Sequence, residues 1–363
     1  MLSEDAATVP TAVTNQVVSI ELHGSGGGVT PSPQGRLWEA ALAGGLEYDQ
    51  KTTFKWSEVK SVRAGVTAIR PYDTQGNYPS GARRESYWMG WTDGPDVGKM
   101  RLYTERTLDA LMDHIAAHQA NIGLTKWVLS GGSMGAWGTM TYGIRRPTRF
   151  AALYPDRPRW RYNNTVGNVS IVSWNSSTAP SYPVASAPLK VDDDGGGSMA
   201  AHLDHIAYVS DTSKQIPWIG WCVGRNDGYT PFSDHIAAVA ALRAAKRGFA
   251  FVWNDGNHSV GSIPSQITSS YPPGTFEVGK GYPLFTNHSG DQDPAVDLSG
   301  GINLGLTFRN VVESAAGWSC EVTSLLGART VTVEPKSAVF VKAVSPQVVN
   351  IPAANTWVAV AFS

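Results

Sequence analysis

The chain has 363 residues, with 29 Lys and Arg against 30 Asp and Glu, a formal net charge of −1 and only 16% charged residues. That balance lacks the basic face a phosphate backbone requires, which argues against nucleic acid as a partner, and no apolar run approaches the roughly 20 residues of a membrane span. The length suits a large core split into two domains, while Cys222, in a predicted core strand, and Cys320 read as buried free thiols and suggest no metal site.

Residues 1–5 show neither a basic stretch nor an apolar core, so no signal peptide is legible there. Localisation stays open; abundant Gly, Ser, Thr, Asn and Trp beside sparse charge suits a secreted or periplasmic polymer-acting protein whose signal peptide has been removed. Residues 17–22 read as a strand that runs into His23-Gly24-Ser25-Gly26-Gly27-Gly28. This glycine-rich loop is a linker, a phosphate loop or an anion-binding loop. The phosphate loop fails because Val29-Thr30-Pro31 supplies neither lysine nor the following Ser/Thr.

A second strand is expected at 66–69, then a loop-rich stretch, 71–98, in which Tyr87, Trp88 and Trp91 are candidates to line a cleft. Leu108, Leu111, Met112 and Ile115 keep helical spacing over 104–120. His114 and His118 lie four apart on that helix but lack an intervening glutamate and a third ligand, so they read as surface residues. The apolar run 127–130 then enters Gly131-Gly132-Ser133-Met134-Gly135, a strand turning sharply into a helix with a serine at the apex. Glycines flank such an apex because side chains there would collide with the neighbouring strand and helix.

A strand at 150–154 is followed by a long irregular insertion, 155–197, and long loops of that kind inside a compact domain are usually functional. In it Arg157, Arg159 and Arg161 alternate with Pro158 and Trp160, which reads as a solvated basic turn or as a grip for an anionic substrate group such as a uronate carboxylate. Asp192-Asp193-Asp194 before three glycines is a hydrated loop unless further ligands make it a calcium site, and His202 and His205 read as structural. Residues 216–223 form a buried strand running into Gly224-Arg225-Asn226-Asp227-Gly228. Thr230 as N-cap and Pro231 at the first helical position open a helix to about Arg247. The strand 249–253 ends in a turn-rich loop carrying His258.

From about Asp291 the helical pattern stops. Strand-like runs at 303–309, 318–325, 330–333, 338–341, 347–351 and 357–362 suggest a small β-sandwich, acting as a carbohydrate-binding module, a spacer or a wall beside the site. The expected division is therefore 1–290 for an α/β domain and 291–363 for an all-β domain.

Ser133, Asp227 and His258 each follow a strand, and their chemistry is complementary. A serine hydroxyl needs a base to take its proton, and the base needs a carboxylate to hold its other ring nitrogen. Asp255, too close to His258 along the loop, and Asp234, inside the predicted helix, read instead as solvated carboxylates. Gly131 to Gly135, His23-Gly24, Gly224-Arg225-Asn226-Asp227 and Asn257-His258, in that chain context, resemble the α/β-hydrolase superfamily, its esterase and prolyl-oligopeptidase-like branch, over residues 17–258. Subtilisin, whose serine motif is similar, requires aspartate before histidine before serine.

The resemblance implies a mostly parallel sheet flanked by helices, a catalytic Ser133, Asp227 and His258, and an oxyanion hole from the backbone of Gly24 or Ser25 and of Met134. It implies a lid at 155–197, with Trp88, Trp91, Arg157 and Trp160 as candidate substrate contacts, and no cofactor. Because the chain starts almost at the oxyanion strand, a reduced sheet is expected. The implied activity is cleavage of a carboxylic ester, on acylated carbohydrate or a polyester, with a serine peptidase of prolyl-oligopeptidase type and a non-catalytic carbohydrate-binding protein on the same scaffold as alternatives. Nothing in the sequence sets an oligomeric state.

Overall fold

In the computed structural model the described residues are 16–22, 37–38, 54–55, 57–63, 66–70, 88, 91–92, 99–118, 122–161, 190–191 and 199–363. The strands that carry the fold are β1 (Gln16–Leu22), β2 (Ser57–Arg63), β3 (Val66–Arg70), β4 (Ile122–Gly132), β5 (Ala152–Asp156), β6 (Trp218–Gly224) and β7 (Phe249–Asn254). They continue as β8 (Tyr282–Thr286), β9 (Gly300–Ile302), β10 (Leu306–Glu313), β11 (Trp318–Ser324), β12 (Arg329–Lys336), β13 (Gln347–Ile351) and β14 (Val358–Phe362). The helices are α1 (Tyr103–His118), α2 (Met134–Gly143), α3 (Met199–His202), α4 (His205–Ser210), α5 (Phe232–Ala244) and α6 (Pro264–Ser270).

The central sheet has eight strands in the order β9-β7-β6-β5-β4-β1-β3-β2. Neighbours run parallel from β7 through β3, and both edge strands are antiparallel. The sheet is not the reduced one expected: β2, which follows β1 in the chain, folds back as a hairpin on β3 and supplies the edge.

Parallel strands buried on both faces read as continuous apolar runs, and the period-two alternation decides which residue meets which layer. In β6, Ile219, Trp221 and Val223 point into one apolar cluster, where they meet Leu108 and Met112 of α1, Met140 and Tyr142 of α2, Ile206 and Val209 of α4 and Leu242 of α5. Trp218 and Cys222 point into the opposite cluster. There the cover is different in kind: Ile267 of α6 is joined by Trp318, Cys320, Val331, Val349 and Val360 from the C-terminal strands.

Those strands form two three-stranded antiparallel sheets, β8-β12-β13 and β10-β11-β14. Strand pairing crosses residue 290 in both directions. β8, on the α/β side of the expected division, pairs with β12, whereas β9, beyond it, pairs with β7 of the central sheet. Composition changes near Asp291, but sheet membership is decided by backbone pairing, to which composition is blind.

Two local expectations also change. Residues 338–341 are not a strand: Ser337 Oγ accepts the N–H groups of Val339 and Phe340, closing a turn that buries Phe340 in the second cluster. Helix α5 begins at Phe232, with Pro231 at the cap in an extended conformation (φ −56°, ψ 122°), so Thr230 lies before the helix and does not cap it.

Candidate active site

β4 ends at Gly132 and α2 begins at Met134, which leaves Ser133 alone on the turn at φ 55° and ψ −118°. Few L-residues adopt a positive φ, and such geometry persists only where surrounding structure imposes it. Here the Ser133 N–H donates to the Asp156 carbonyl at 2.9 Å, and the Ser133 carbonyl accepts from Trp137 N–H at 3.1 Å in the first turn of α2. Gly131 is the residue that lets this turn form. A Cβ there would stand 2.4 Å from the Gly135 carbonyl carbon, 2.5 Å from its oxygen and 2.9 Å from the Leu22 oxygen. The elbow is thus wedged between helix and strand backbone, and Ser133 is pushed out at the carboxyl end of the sheet.

The loops after β6 and β7 lie side by side because their strands do. Arg225 N–H donates to the Asn254 carbonyl and Asn226 N–H to the Gly256 carbonyl, each at 2.8 Å, so the pairing continues past the sheet edge. Gly224 allows the approach, since a Cβ there would come within 2.1 Å of the Asn257 oxygen. The result is a hydrogen-bonded chain: His258 Nε2 lies 2.7 Å from Ser133 Oγ, and His258 Nδ1 lies 2.7 Å from Asp227 Oδ2.

The carboxylate of Asp227 is fully enclosed, and its Oδ1 accepts the Tyr229 N–H at 2.8 Å. Burial works to raise this carboxyl, but the hydrogen bonds from His258 and from the Tyr229 backbone outweigh it and hold Asp227 below the usual carboxylate range. An ionised carboxylate only accepts, so Nδ1 carries the ring hydrogen and Nε2 is left to accept from the Ser133 hydroxyl. The ring of Tyr229 meets the imidazole edge-on, 4.8 Å between centroids, a contact that no sequence signal marked.

The other candidates fall in several places. Gly24, Ser25 and Tyr87 lie outside the described residues, as does most of the 155–197 insertion including Asp192, Asp193 and Asp194; of Trp91 only the backbone, in a short strand, is described. Met134, as the first residue of α2, bears one of the N–H groups that a helix leaves without an intrahelical acceptor. Asp255 is exposed and accepts from the Asn226 side chain at 2.9 Å. Asp234 is not solvated: it is 8% exposed, and burial raises its carboxyl despite Arg161 and Arg159 nearby.

Of the aromatic candidates whose side chains are described, Trp88 and Trp160, neither lines a cleft. Trp88 is fully buried where Gly138 of α2 leaves room for its ring, and Trp160 is fully buried edge-on against Trp221. Arg159 is 3% exposed, donates to the Tyr229 carbonyl at 2.9 Å and lies over the Trp137 ring, so the segment is not a solvated turn. Arg157 donates to Asp156 and to the His258 carbonyl. His202 meets Glu105 at 3.4 Å and His205 meets Thr141 at 3.3 Å, all four side chains buried between α1, α2, α3 and α4. Cys222 and Cys320 are free and buried. Among the described residues no group of three or more His, Cys, Asp or Glu is placed to hold a metal ion, and no helix is long and apolar enough to cross a membrane.

No protein-family profile and no curated protein matches the sequence. Solved structures do. An S-formylglutathione hydrolase from Agrobacterium tumefaciens shares 16% identity over 70% of this chain and 82% of its own, with a TM-score of 0.42. A ferulic acid esterase shares 14% identity over 71% of this chain and 84% of its own, with a TM-score of 0.38. An acylaminoacyl peptidase from Pyrococcus horikoshii shares 10% over 70% of this chain and 34% of its own, with a TM-score of 0.42. The fold itself rests on the strand order: a parallel sheet carrying a serine elbow after β4, an aspartate loop after β6 and a histidine loop after β7, with helices on its faces. This is the α/β-hydrolase fold.

Proposed function

We propose that the protein is a serine hydrolase that cleaves a carboxylic ester through an acyl-enzyme intermediate. The observation that carries this reading is the chain of two 2.7 Å contacts from Ser133 through His258 to the enclosed Asp227. In the proposed cycle Ser133 Oγ attacks the ester carbonyl while His258 Nε2 takes its proton. The tetrahedral intermediate collapses, and the imidazolium returns that proton to the departing alkoxide. Water then repeats the sequence on the acyl-enzyme, releasing the acid and restoring Ser133. Asp227 keeps the imidazole in the productive tautomer and stabilises the imidazolium.

The oxyanion is assigned to the Met134 N–H, at the positive end of α2, with a second donor from Gly24 or Ser25 as the sequence pattern suggests. The part of the 155–197 insertion that follows the packed residues Arg157 to Trp160 is assigned as the lid that selects the acyl group, since β5 ends at Asp156, whose carbonyl already holds the Ser133 N–H. An ester is preferred to an amide because an alkoxide departs with less assistance, and acylated sugars and polyesters are the substrates to try first.

A fluorophosphonate probe tests the assignment. Labelling of the wild type at Ser133, absent in Ser133→Ala, is the expected result, and a folded wild type that resists labelling refutes it. Turnover of p-nitrophenyl esters of rising chain length, acetylated and feruloylated sugars and aminoacyl amides then separates esterase from peptidase.

A further inference from the structure

We propose that Arg157 is a positioning residue that sets His258 against Ser133, rather than a grip for substrate. The inference rests on the acyl-transfer reading of Ser133 and His258. Arg157 follows β5 directly and sits at φ 64°, a conformation rarely adopted outside glycine. Its N–H donates to the Cys222 carbonyl of β6 at 2.8 Å. Its guanidinium is committed at two points: Nη2 to Asp156 Oδ2 at 2.7 Å, and Nη1 to the His258 carbonyl at 2.5 Å.

Asp156 ties the same assembly to the nucleophile. Its carbonyl accepts the Ser133 N–H at 2.9 Å, and its Oδ1 accepts from the Cys222 thiol at 3.0 Å. Burial pushes that thiol well above its usual range, so it stays protonated and donates. A Cβ at Gly132 would lie 3.2 Å from Arg157 Nη2, so the guanidinium rests against the elbow next to Ser133.

Two adjacent residues therefore touch three of the parts whose separation decides reactivity: the elbow N–H, the end of β6 that leads to Asp227, and the backbone of His258. His258 sits on a loop and needs its backbone held if its ring is to reach Ser133 and Asp227 together. A guanidinium on its carbonyl is a charge-assisted hydrogen bond, stronger than a neutral one and fixed in direction by the anchoring carboxylate. A residue that grips substrate needs donors aimed at the cleft, whereas Arg157 spends Nη1 and Nη2 inside the protein.

The test compares Arg157→Ala, Arg157→Lys and Asp156→Asn with wild type, each first shown to be folded by circular dichroism. Kinetics on p-nitrophenyl acetate should show kcat falling about 10- to 100-fold in Arg157→Ala, the loss expected of a misplaced reacting group, with KM within about 2-fold. Added guanidinium chloride at sub-denaturing concentration should restore part of kcat, and Arg157→Lys should fall between. The low-field proton signal of His258 Nδ1–H, assigned by its loss in Asp227→Asn, should shift or broaden in Arg157→Ala.

A raised KM with unchanged kcat would return Arg157 to the substrate. Wild-type kcat together with an unmoved His258 signal would overturn the proposal outright. If Arg157→Ala does not fold, Arg157→Lys and Asp156→Asn carry the same comparison. A wild type that shows the His258 signal but resists fluorophosphonate would refute the hydrolase reading alone, leaving the signal to decide what Arg157 does.

Discussion

Gly131→Ala measures how tightly the elbow is wedged. The added Cβ would meet the Gly135 carbonyl carbon at 2.4 Å, its oxygen at 2.5 Å and the Leu22 oxygen at 2.9 Å, where ordinary contact starts at 3.4 Å. About 1 Å must be opened between the elbow, the first turn of α2 and the end of β1. All three obstacles are backbone, so no rotamer change relieves them. The overpacking cost belongs at the upper end of the usual range, about 3 kcal/mol. With an unfolding entropy of roughly 2 cal/mol/K per residue, that lowers the midpoint by about 4 °C in a chain of this length.

The same displacement acts on the 2.7 Å contact between Ser133 and His258. A shift of about 1 Å in a reacting group costs on the order of 100-fold in rate. Thermal denaturation and the rate of fluorophosphonate labelling read the two effects, with Gly228→Ala as control because no atom of the described residues lies within 4 Å of its added carbon. A Gly131→Ala protein that melts and labels like wild type would refute the reasoning.

Asp227→Asn should lower kcat/KM by about 10³- to 10⁴-fold, since an amide can hold the imidazole in the wrong tautomer. Because the Asp227 carboxyl is depressed in the folded protein, its stabilising contribution is complete above its unfolded value and is lost as pH falls through the folded one. The midpoint gap between wild type and Asp227→Asn should therefore shrink below about pH 4, the ordinary aspartate range. Asp234 carries the opposite sign: its carboxyl is raised by burial and its Oδ2 has no hydrogen-bond partner among the described residues, so the ionised form costs stability. Asp234→Asn should melt higher than wild type at pH 8, and that advantage should vanish toward pH 4. Trp160→Ala should cost about 3–5 kcal/mol by opening a core cavity, leaving KM of the folded fraction unchanged; a raised KM at full stability would place Trp160 at the substrate after all.

The elements that project Ser133, Asp227 and His258 were legible because each is written in a short window. The runs at 127–130, 216–223 and 249–253 lie within the observed strands or at their ends, and each is followed by a glycine-bearing turn. What escaped were side chains whose type misleads when read alone. Arg157 and Arg159 in a Pro- and Trp-containing turn look like a surface, yet one guanidinium reaches the His258 carbonyl and the other lies over Trp137. Trp88 and Trp160 look like binding aromatics and are core, while Asp234 looks solvated and is buried. The cover on the second face of the sheet was equally invisible, because β8 and β9 each pair across the point where composition changes.

By itself the sequence determined the strands that lead to Ser133, Asp227 and His258, the turn chemistry at the elbow, and which three residues stand at those strand ends in serine, aspartate, histidine order. Those follow from backbone preferences and apolar periodicity, which act over a few residues. Only the tertiary structure decided which side chains meet: Ser133 and His258 are 125 residues apart and Arg157 and His258 are 101 apart. Partnerships at such separations depend on how parallel strands align and on what the packed layers exclude from water, and no local window of sequence contains either.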